Sequence, residues 1–168
     1  GESEFYACCK MIAHVLFYPY QSDKVDFNGQ ADSDWAGEKA TRKSTSSGVL
    51  MLGSHPLESW SVNQQVVALS SGESEFYACC KIIAHLLFMP HVADEVEHKV
   101  RGRVHTDSSA ARGMLGRLGA GRVRHIQARF LWVQERLREK CFLLHKVGTN
   151  TNPGDLGTKN PTKEALDT

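Results

Sequence analysis

The sequence predicts an α/β domain with a mixed sheet, and three observations support that prediction. From Val25 onward, the segments read in the order strand, hairpin, helix, strand, helix, helix, strand and helix. Helical crossovers make strands parallel, whereas a hairpin makes them antiparallel, so one sheet should contain both kinds of pair. The chain has 168 residues, of which 41% are hydrophobic, and this fits one domain with a buried core.

The first strands are predicted from alternation and from turn residues. Apolar or small residues alternate with polar ones from Val25 to Asp32, which indicates a weak strand. Two strand-like stretches, 48–52 and 57–62, flank the turn residues 53–56 and therefore predict an antiparallel hairpin.

The central helix is predicted from its N-terminal cap. Ser70 and Glu73 match a capping box, and the helical pattern that follows runs to Met89, where Pro90 is expected to end it. At 100° per residue, Glu75 lies in the apolar sector of this helix and Glu73 lies at its margin. Glu75 is therefore expected to point toward the sheet.

The second half of the domain continues the alternation. A strand over 100–106 precedes a helix that Asp107 and the two following serines cap and that runs to about Leu115. An amphipathic helix is predicted next, because apolar residues recur at spacings of three and four: Val123, Ile126, Phe130, Val133 and Leu137. A fifth strand over 142–147 and a short helix after the turn 152–154 complete the pattern.

Residues 1–19 repeat residues 72–90, with sixteen of nineteen positions identical. A single pair of copies is not a solenoid, which needs three or more stacked units. The second copy lies between strand-like and helix-like segments, so it is expected to be the integral one. We therefore predict an appended segment, 1–24, with an extra N-terminal helix, and a domain over 25–168.

The composition excludes several classes of protein. The formal net charge is +1, so the total charge neither favours nor opposes a nucleic-acid partner. The longest apolar stretches, 11–19 and 82–90, are shorter than the roughly 20 residues that cross a bilayer, so we expect neither a secretory signal nor a membrane partner. The five cysteines lack C-x-x-C spacing, which favours reduced, buried thiols in the cytoplasm or nucleus.

The basic residues are concentrated in one part of the chain. Residues 95–146 carry 12 basic and 5 acidic side chains. Arg122, Arg129 and Arg136 recur every seven residues beside the predicted apolar stripe, an arrangement that suits phosphate groups. The same arginines could instead form a solvated helix face that pairs with Glu135 and Glu139.

Four carboxylates are predicted to meet at one edge of the sheet. Asp32 and Asp107 end strands, whereas Glu75 and Asp155 begin helices, and such ends can converge on one rim of an open α/β sheet. Cations between them would offset their repulsion. Oxygen ligands suit Mg²⁺ or Mn²⁺, and two such ions about 4 Å apart can promote in-line attack on a phosphodiester. Each carboxylate could also be a helix cap or a solvated turn residue.

Period two places Asp32 and Asp34 on the same face of the strand, so spacing leaves the choice between them open. His125 is expected to be structural rather than catalytic. Polar neighbours of Asp107 are Ser108 and Ser109, although a helix cap explains both serines equally well.

Seven blocks of the sequence occur in the order found in one known family. They are Asp32-Ser33-Asp34-Trp35-Ala36-Gly37, Arg42-Lys43-Ser44-Thr45-Ser46, Ser59-Trp60-Ser61, residues 65–71 with Glu73-Ser74-Glu75-Phe76, Thr106-Asp107-Ser108-Ser109-Ala110, Arg122-Val123-Arg124-His125-Ile126 and Asp155-Leu156-Gly157-Thr158-Lys159. With these blocks, residues 27–162 resemble the ribonuclease H domain of copia-type retrotransposon Pol polyproteins.

The resemblance implies a ribonuclease H-like fold with a five-stranded mixed sheet, and hydrolysis of the RNA strand of RNA–DNA hybrids during reverse transcription. It implies two Mg²⁺ or Mn²⁺ ions, held by the catalytic carboxylates Asp32, Glu75, Asp107 and Asp155, and it selects Asp32 over Asp34. Further implications are a reverse transcriptase partner in the parent polyprotein and a virus-like particle. The expected nucleic-acid contacts are Arg122, Arg124, Arg129, Arg136, Ser108 and Ser109.

Two features depart from the family pattern. Residues 127–130 lack the acidic residue and the second aromatic or histidine that usually follow the block at His125, and the copied segment 1–19 has no place in the family architecture. One alternative is therefore a catalytically inactive relic that binds nucleic acid. An integrase or a structure-specific nuclease of the same fold is another, but the blocks at Arg42 and Asp155 oppose it.

Overall fold

A computed structural model of the chain describes residues 26–94, 102–121, 123, 125–148 and 151–158. Five strands form one sheet: β1 (Phe27–Asp34), β2 (Thr45–Leu52), β3 (His55–Asn63), β4 (Gly102–Thr106) and β5 (Leu143–Lys146). Their spatial order is β3-β2-β1-β4-β5. The β1–β2 and β2–β3 pairs are antiparallel, whereas β1–β4 and β4–β5 are parallel. The predicted α/β fold with a mixed five-stranded sheet is confirmed.

Within the described residues, three α-helices accompany the sheet: α1 (Ser71–Asp94), α2 (Ser109–Gly116) and α3 (Trp132–Arg138). The same part of the chain contains two short 3₁₀-helices, Ala128–Phe130 before α3 and Pro153–Gly157 near its end. None of the described helices has both the length and the apolarity that a bilayer span requires.

Helix α1 is the centre of the core. Phe76, Cys79, Ile82 and Ile83 on this helix are fully buried. The helix lies close to the sheet because glycines face it: a Cβ at Gly29 would lie only 2.8 Å from Ile82 Cγ1, and one at Gly102 would lie 2.9 Å from Leu86 Cδ2. Small residues in β1 therefore replace the β-branched residues that a strand usually favours.

Two predicted helix boundaries are wrong. Helix α1 continues through Pro90 to Asp94, because a proline removes one helical hydrogen bond but still adopts helical backbone angles. The amphipathic helix begins at Trp132 rather than near Val123. The preceding residues form 3₁₀ and turn contacts between residues three apart, such as Phe130 N–H to Gln127 O at 2.9 Å.

The apolar stripe nevertheless contributes to the core. Ile126 and Val133 are buried, and Val123, Phe130 and Leu137 pack against the core. The side chain of Gln134 fixes the preceding loop by donating to Met114 O at 2.8 Å and accepting from Gly119 N at 2.8 Å. Burial thus follows the predicted pattern, although a single helix does not produce it.

The free thiols differ in their surroundings. Cys79 and Cys80 are buried in α1 as expected, but Cys141 is exposed after α3, so the prediction of buried thiols is wrong there. The appended segment 1–24, its predicted helix and its two cysteines lie outside the described residues.

Candidate active site

Three of the four predicted carboxylates gather at one edge of the sheet. Asp32 lies near the carboxyl end of β1, Asp107 directly follows β4, and Glu75 lies near the start of α1. Each offers one oxygen atom, and these three oxygens all lie within 4.8 Å of one another. Because β1 and β4 are parallel neighbours, their carboxyl ends meet at the same edge.

Glu75 is the carboxylate with the least favourable surroundings. The Ser33 N–H donates to its Oε1 at 3.1 Å, whereas its Oε2 is buried and has no hydrogen-bond partner among the described residues. Burial and the nearby Asp32 and Asp107 carboxylates raise the pKa of Glu75 to about 8, despite the Ser33 hydrogen bond.

A bound cation would offset the repulsion among the three carboxylates and the cost of burying Glu75. Three oxygen ligands at this separation match the hard-ligand chemistry of Mg²⁺ or Mn²⁺, and a cation would also provide a partner for the buried Oε2 of Glu75. The residues present therefore fit a divalent ion.

Asp155 lies on the 3₁₀-helix that packs against the end of β1, but it does not belong to the group of three. Asn152 holds this 3₁₀-helix in place by donating from Nδ2 to Ala31 O at 3.0 Å. A Cβ at Gly154 would lie 3.0 Å from Asp32 N, so glycine permits this close approach. The hydroxyl of Thr158 donates to the Asp32 carboxylate.

The structure distinguishes Asp32 from Asp34. Asp34 Oδ1 accepts from the Thr45 N–H at 2.5 Å, so this carboxylate closes the connection between β1 and β2. Asp32 instead contributes its oxygen to the group with Glu75 and Asp107. The strand period left the choice between Asp32 and Asp34 open, and the positions of the two side chains favour Asp32.

Glu73 was expected at the margin of the apolar sector, but it is only 1% exposed. Its carboxylate accepts from Leu69 N–H at 2.9 Å, from the Tyr77 hydroxyl at 2.5 Å and from His125 Nε2 at 2.7 Å. Burial alone would raise its pKa, but the hydrogen bonds from Tyr77, His125 and Leu69 outweigh burial and lower it. His125 thus has a structural partner, which fits its expected role.

Four of the six predicted nucleic-acid contacts lie among the described residues: Arg129, Arg136, Ser108 and Ser109. Arg122 and Arg124 lie outside the described residues. Arg136 pairs with Glu139 at 2.7 Å on the exposed side of α3, as the solvated-face alternative expected. Since α3 begins at Trp132, Arg129 and Arg136 do not lie on one continuous helix. The prediction that they share one helix face is therefore wrong.

Arg129 lies over the Phe130 ring, 4.8 Å from its centroid. Together with Lys81 it lines a cleft of about 550 Å³ between α1 and the 3₁₀-helix that precedes α3. Near Asp107, Ser108 accepts from Ala111 N–H at 3.1 Å as the N-cap of α2, and Ser109 is exposed. The cap explanation of Ser108 is therefore correct.

Sequence reasoning missed two side chains in the surroundings of the carboxylates, Thr158 and Gln64. Thr158 lies within the block that begins at Asp155, so that block contained a signal for it. Gln64 is buried and donates to Ser46 Oγ and Ser74 O, both at 2.8 Å, which links β2 to the start of α1. Only the assembled fold reveals this link.

Comparison with known proteins finds relatives in sequence, and one of them matches most of the chain. The chain is 32% identical over 141 residues, 82% of its length, to the retrovirus-related Pol polyprotein from transposon TNT 1-94 of Nicotiana tabacum. The match spans only 10% of that relative. No family model matches the chain.

The fold is also found in solved structures, among them the following two. The N-terminal RNase H domain of rv2228c from Mycobacterium tuberculosis superposes with a TM-score of 0.55 at 16% identity, over 86% of this chain and 95% of that one. LC11-RNase H1, solved in complex with an RNA/DNA hybrid, superposes with a TM-score of 0.50 at 12% identity, over 84% and 99%. At these identities the likeness concerns the fold alone.

Proposed function

Because this chain is a homologue of a retrovirus-related Pol polyprotein and has the ribonuclease H fold, we propose that it is a metal-dependent endonuclease. Its substrate would be the RNA strand of RNA–DNA hybrids formed during reverse transcription in a copia-type element. The observation that carries this proposal is the group of three carboxylate oxygens within 4.8 Å at the shared edge of β1, β4 and α1.

Asp32, Glu75 and Asp107 would hold two divalent ions, with Asp155 supplied from the adjacent 3₁₀-helix. When bound, Mg²⁺ or Mn²⁺ would activate a water molecule and neutralise charge at the scissile phosphate, leaving a 5′-phosphate and a 3′-hydroxyl. The Ser33 N–H orients Glu75, and the Thr158 hydroxyl orients Asp32. In this mechanism the chain supplies no nucleophile of its own.

The proposed biological setting is based on the similarity to a Pol polyprotein. We propose that a reverse transcriptase in the same polyprotein delivers the hybrid, and that the chain acts in the cytoplasm or nucleus within the particle of its parent element. Arg122, Arg124, Arg129 and Arg136 would contact phosphates, and Ser108 and Ser109 would lie beside the scissile strand. Phosphate contacts of this kind position a duplex without reading its sequence.

The proposal is tested by incubating the purified chain with an RNA–DNA hybrid carrying labelled RNA, in Mg²⁺ and in EDTA. We expect cleavage only in Mg²⁺ and only of the RNA strand. Asp107→Asn should abolish cleavage while the circular dichroism spectrum stays unchanged, and a fully active variant would remove Asp107 from the site.

A matched pair of substitutions separates catalysis from folding. Asp32→Asn should abolish cleavage because it alters the carboxylate group, whereas Asp34→Asn should retain most activity because an amide oxygen can still accept from Thr45 N–H. Equal losses in both variants would contradict the assignment. Hybrid binding without any cleavage by the wild-type chain would instead favour the catalytically inactive relic.

A further inference from the structure

Trp35 is a large apolar side chain that is exposed and yet fixed in position. It lies three residues after Asp32, in the turn at the carboxyl end of β1, and it is 52% exposed. Its indole N–H donates to Ala68 O at 3.0 Å, which ties the turn to the segment before α1. The ring is therefore held at the same edge of the sheet as the carboxylate group.

Two further apolar side chains lie on either side of Ala68 in sequence. Val67 is 46% exposed and Leu69 is 64% exposed. Leu69 is anchored through its backbone, because its N–H donates to the Glu73 carboxylate at 2.9 Å. We call Trp35, Val67 and Leu69 the apolar rim. Exposed apolar groups gathered beside a candidate site indicate a contact surface rather than a core.

A preformed basic loop leaves the same end of β1. The loop over 37–44 carries three cations, Lys39, Arg42 and Lys43. Backbone hydrogen bonds close it, from Arg42 N–H to Glu38 O at 2.8 Å and from Glu38 N–H to Lys43 O at 3.2 Å. Within the described part of the chain, none of these three cations forms an ion pair, so their charges are available to a ligand.

Resting on the proposed function, we propose that the apolar rim and the basic loop form one binding surface for the hybrid, beside the carboxylate group. The minor groove of such a duplex is wide and shallow and presents sugars that an apolar surface can cover. Phosphates bordering the groove would meet Lys39, Arg42 and Lys43. This surface continues directly from the ends of β1 and α1 that carry Asp32 and Glu75.

The role of Trp35 is tested by steady-state kinetics on the full chain. Trp35→Ala should raise KM about ten-fold and change kcat less than about two-fold, because the side chain binds substrate without touching the reacting atoms. Trp35→Phe keeps an aromatic ring but loses the hydrogen bond to Ala68 O, and it should recover most of the lost affinity. An unchanged KM in Trp35→Ala would overturn the proposal.

Fluorescence gives a direct reading of contact. A chain with Trp60→Phe and Trp132→Phe retains Trp35 as its single tryptophan. Adding Glu75→Gln prevents cleavage, so an unlabelled RNA–DNA hybrid can be titrated at equilibrium. We expect saturable quenching or a blue shift of Trp35 emission. Binding detected by gel shift without any change in Trp35 emission would place the hybrid elsewhere.

Salt dependence tests the basic loop. Each phosphate contact contributes about −0.9 to the slope of log affinity against log salt, so Lys39→Gln with Lys43→Gln should make the slope less steep by about two. Arg103→Gln is the matched control, because Arg103 pairs with Asp26 near the opposite ends of β1 and β4, and it should leave the slope unchanged. Equal effects in both proteins would refute the loop contact.

These outcomes separate the two proposals. If the wild-type chain cleaves hybrids, and the Trp35 and loop variants have the same hybrid affinity as the wild type, only this binding surface is rejected. A chain that never cleaves, but whose Trp35 emission responds to the hybrid, would reject only the catalytic function.

Discussion

Replacing Glu75 by glutamine should stabilise the protein in the absence of metal while abolishing cleavage. The Glu75 carboxylate is largely buried, faces Asp32 and Asp107, and has one oxygen without a hydrogen-bond partner among the described residues. A glutamine of the same shape is neutral. Its amide oxygen can still accept from Ser33 N–H, and its NH₂ group can donate toward the two aspartates.

The size of the effect follows from the pKa of Glu75, which rises from 4.5 to about 8. In the unfolded chain this group ionises near pH 4.5, so between those two values the folded state binds more protons and stability falls as pH rises. At about 1.36 kcal/mol per pKa unit, the cost approaches about 4 kcal/mol at pH 8 and is below about 1 kcal/mol at pH 5. Solvent at the open edge of the sheet screens part of it, so we expect about 2 kcal/mol, or a Tm increase of ~4–8 °C at pH 8.

The assay is thermal unfolding by circular dichroism in EDTA at pH 5 and pH 8. Glu135→Gln is the control, because Glu135 is an exposed glutamate on α3, and its Tm should follow that of the wild type at both pH values. If Glu75→Gln exceeds the wild type by the same amount at both pH values, or is less stable at pH 8, repulsion within the carboxylate group is not the cause.

Three further predictions concern metal binding, the hydrogen bond to the buried Glu73 and the N-terminal segment. In differential scanning calorimetry, saturating Mg²⁺ should raise the Tm of the wild type more at pH 8 than at pH 5, because ionised carboxylates bind the cation, and it should raise the Tm of Glu75→Gln much less. His125→Ala should cost about 1.5–3 kcal/mol in urea titrations because it removes a hydrogen bond to the buried Glu73, whereas His85→Ala, which loses the more exposed pair with Glu58, should cost less than about 1 kcal/mol; similar costs would contradict the contrast. A chain beginning at Val25 should retain the kcat/KM of the full chain, and a large loss would show that residues 1–24 contribute.

Local sequence patterns predicted the elements that present the carboxylates. Alternation in β1 and the serine cap before α1 depend on neighbours only a few residues apart, so they can be recognised without the fold. The same is true of the position of Asp107 after β4. Parallel pairing of β1 with β4 then brings these ends to one edge, which general rules for α/β sheets anticipate.

Contacts between distant residues could not be predicted in the same way. Asn152 and Ala31 are 121 residues apart, yet their hydrogen bond fixes the 3₁₀-helix beside Asp32. The segment before α3 is linked to distant parts of the fold, because Gln134 binds the loop at Gly119 and His125 binds Glu73. Apolar spacing alone favours one longer helix over 123–137, because it reports burial and carries no information about these polar contacts.

Glu73 and Glu75 show how the fold separates a structural carboxylate from a candidate catalytic one. Both lie near the start of α1 and both are largely removed from solvent, so burial alone does not separate their roles. Glu73 receives three hydrogen-bond donors and its pKa is lowered, whereas Glu75 receives the Ser33 N–H, faces two other carboxylates and has a raised pKa. A buried carboxylate that the protein leaves without sufficient donors is unfavourable on its own and becomes favourable when a cation binds. The number of donors available to each side chain, rather than its burial, therefore favours Glu75 over Glu73 as the candidate metal ligand.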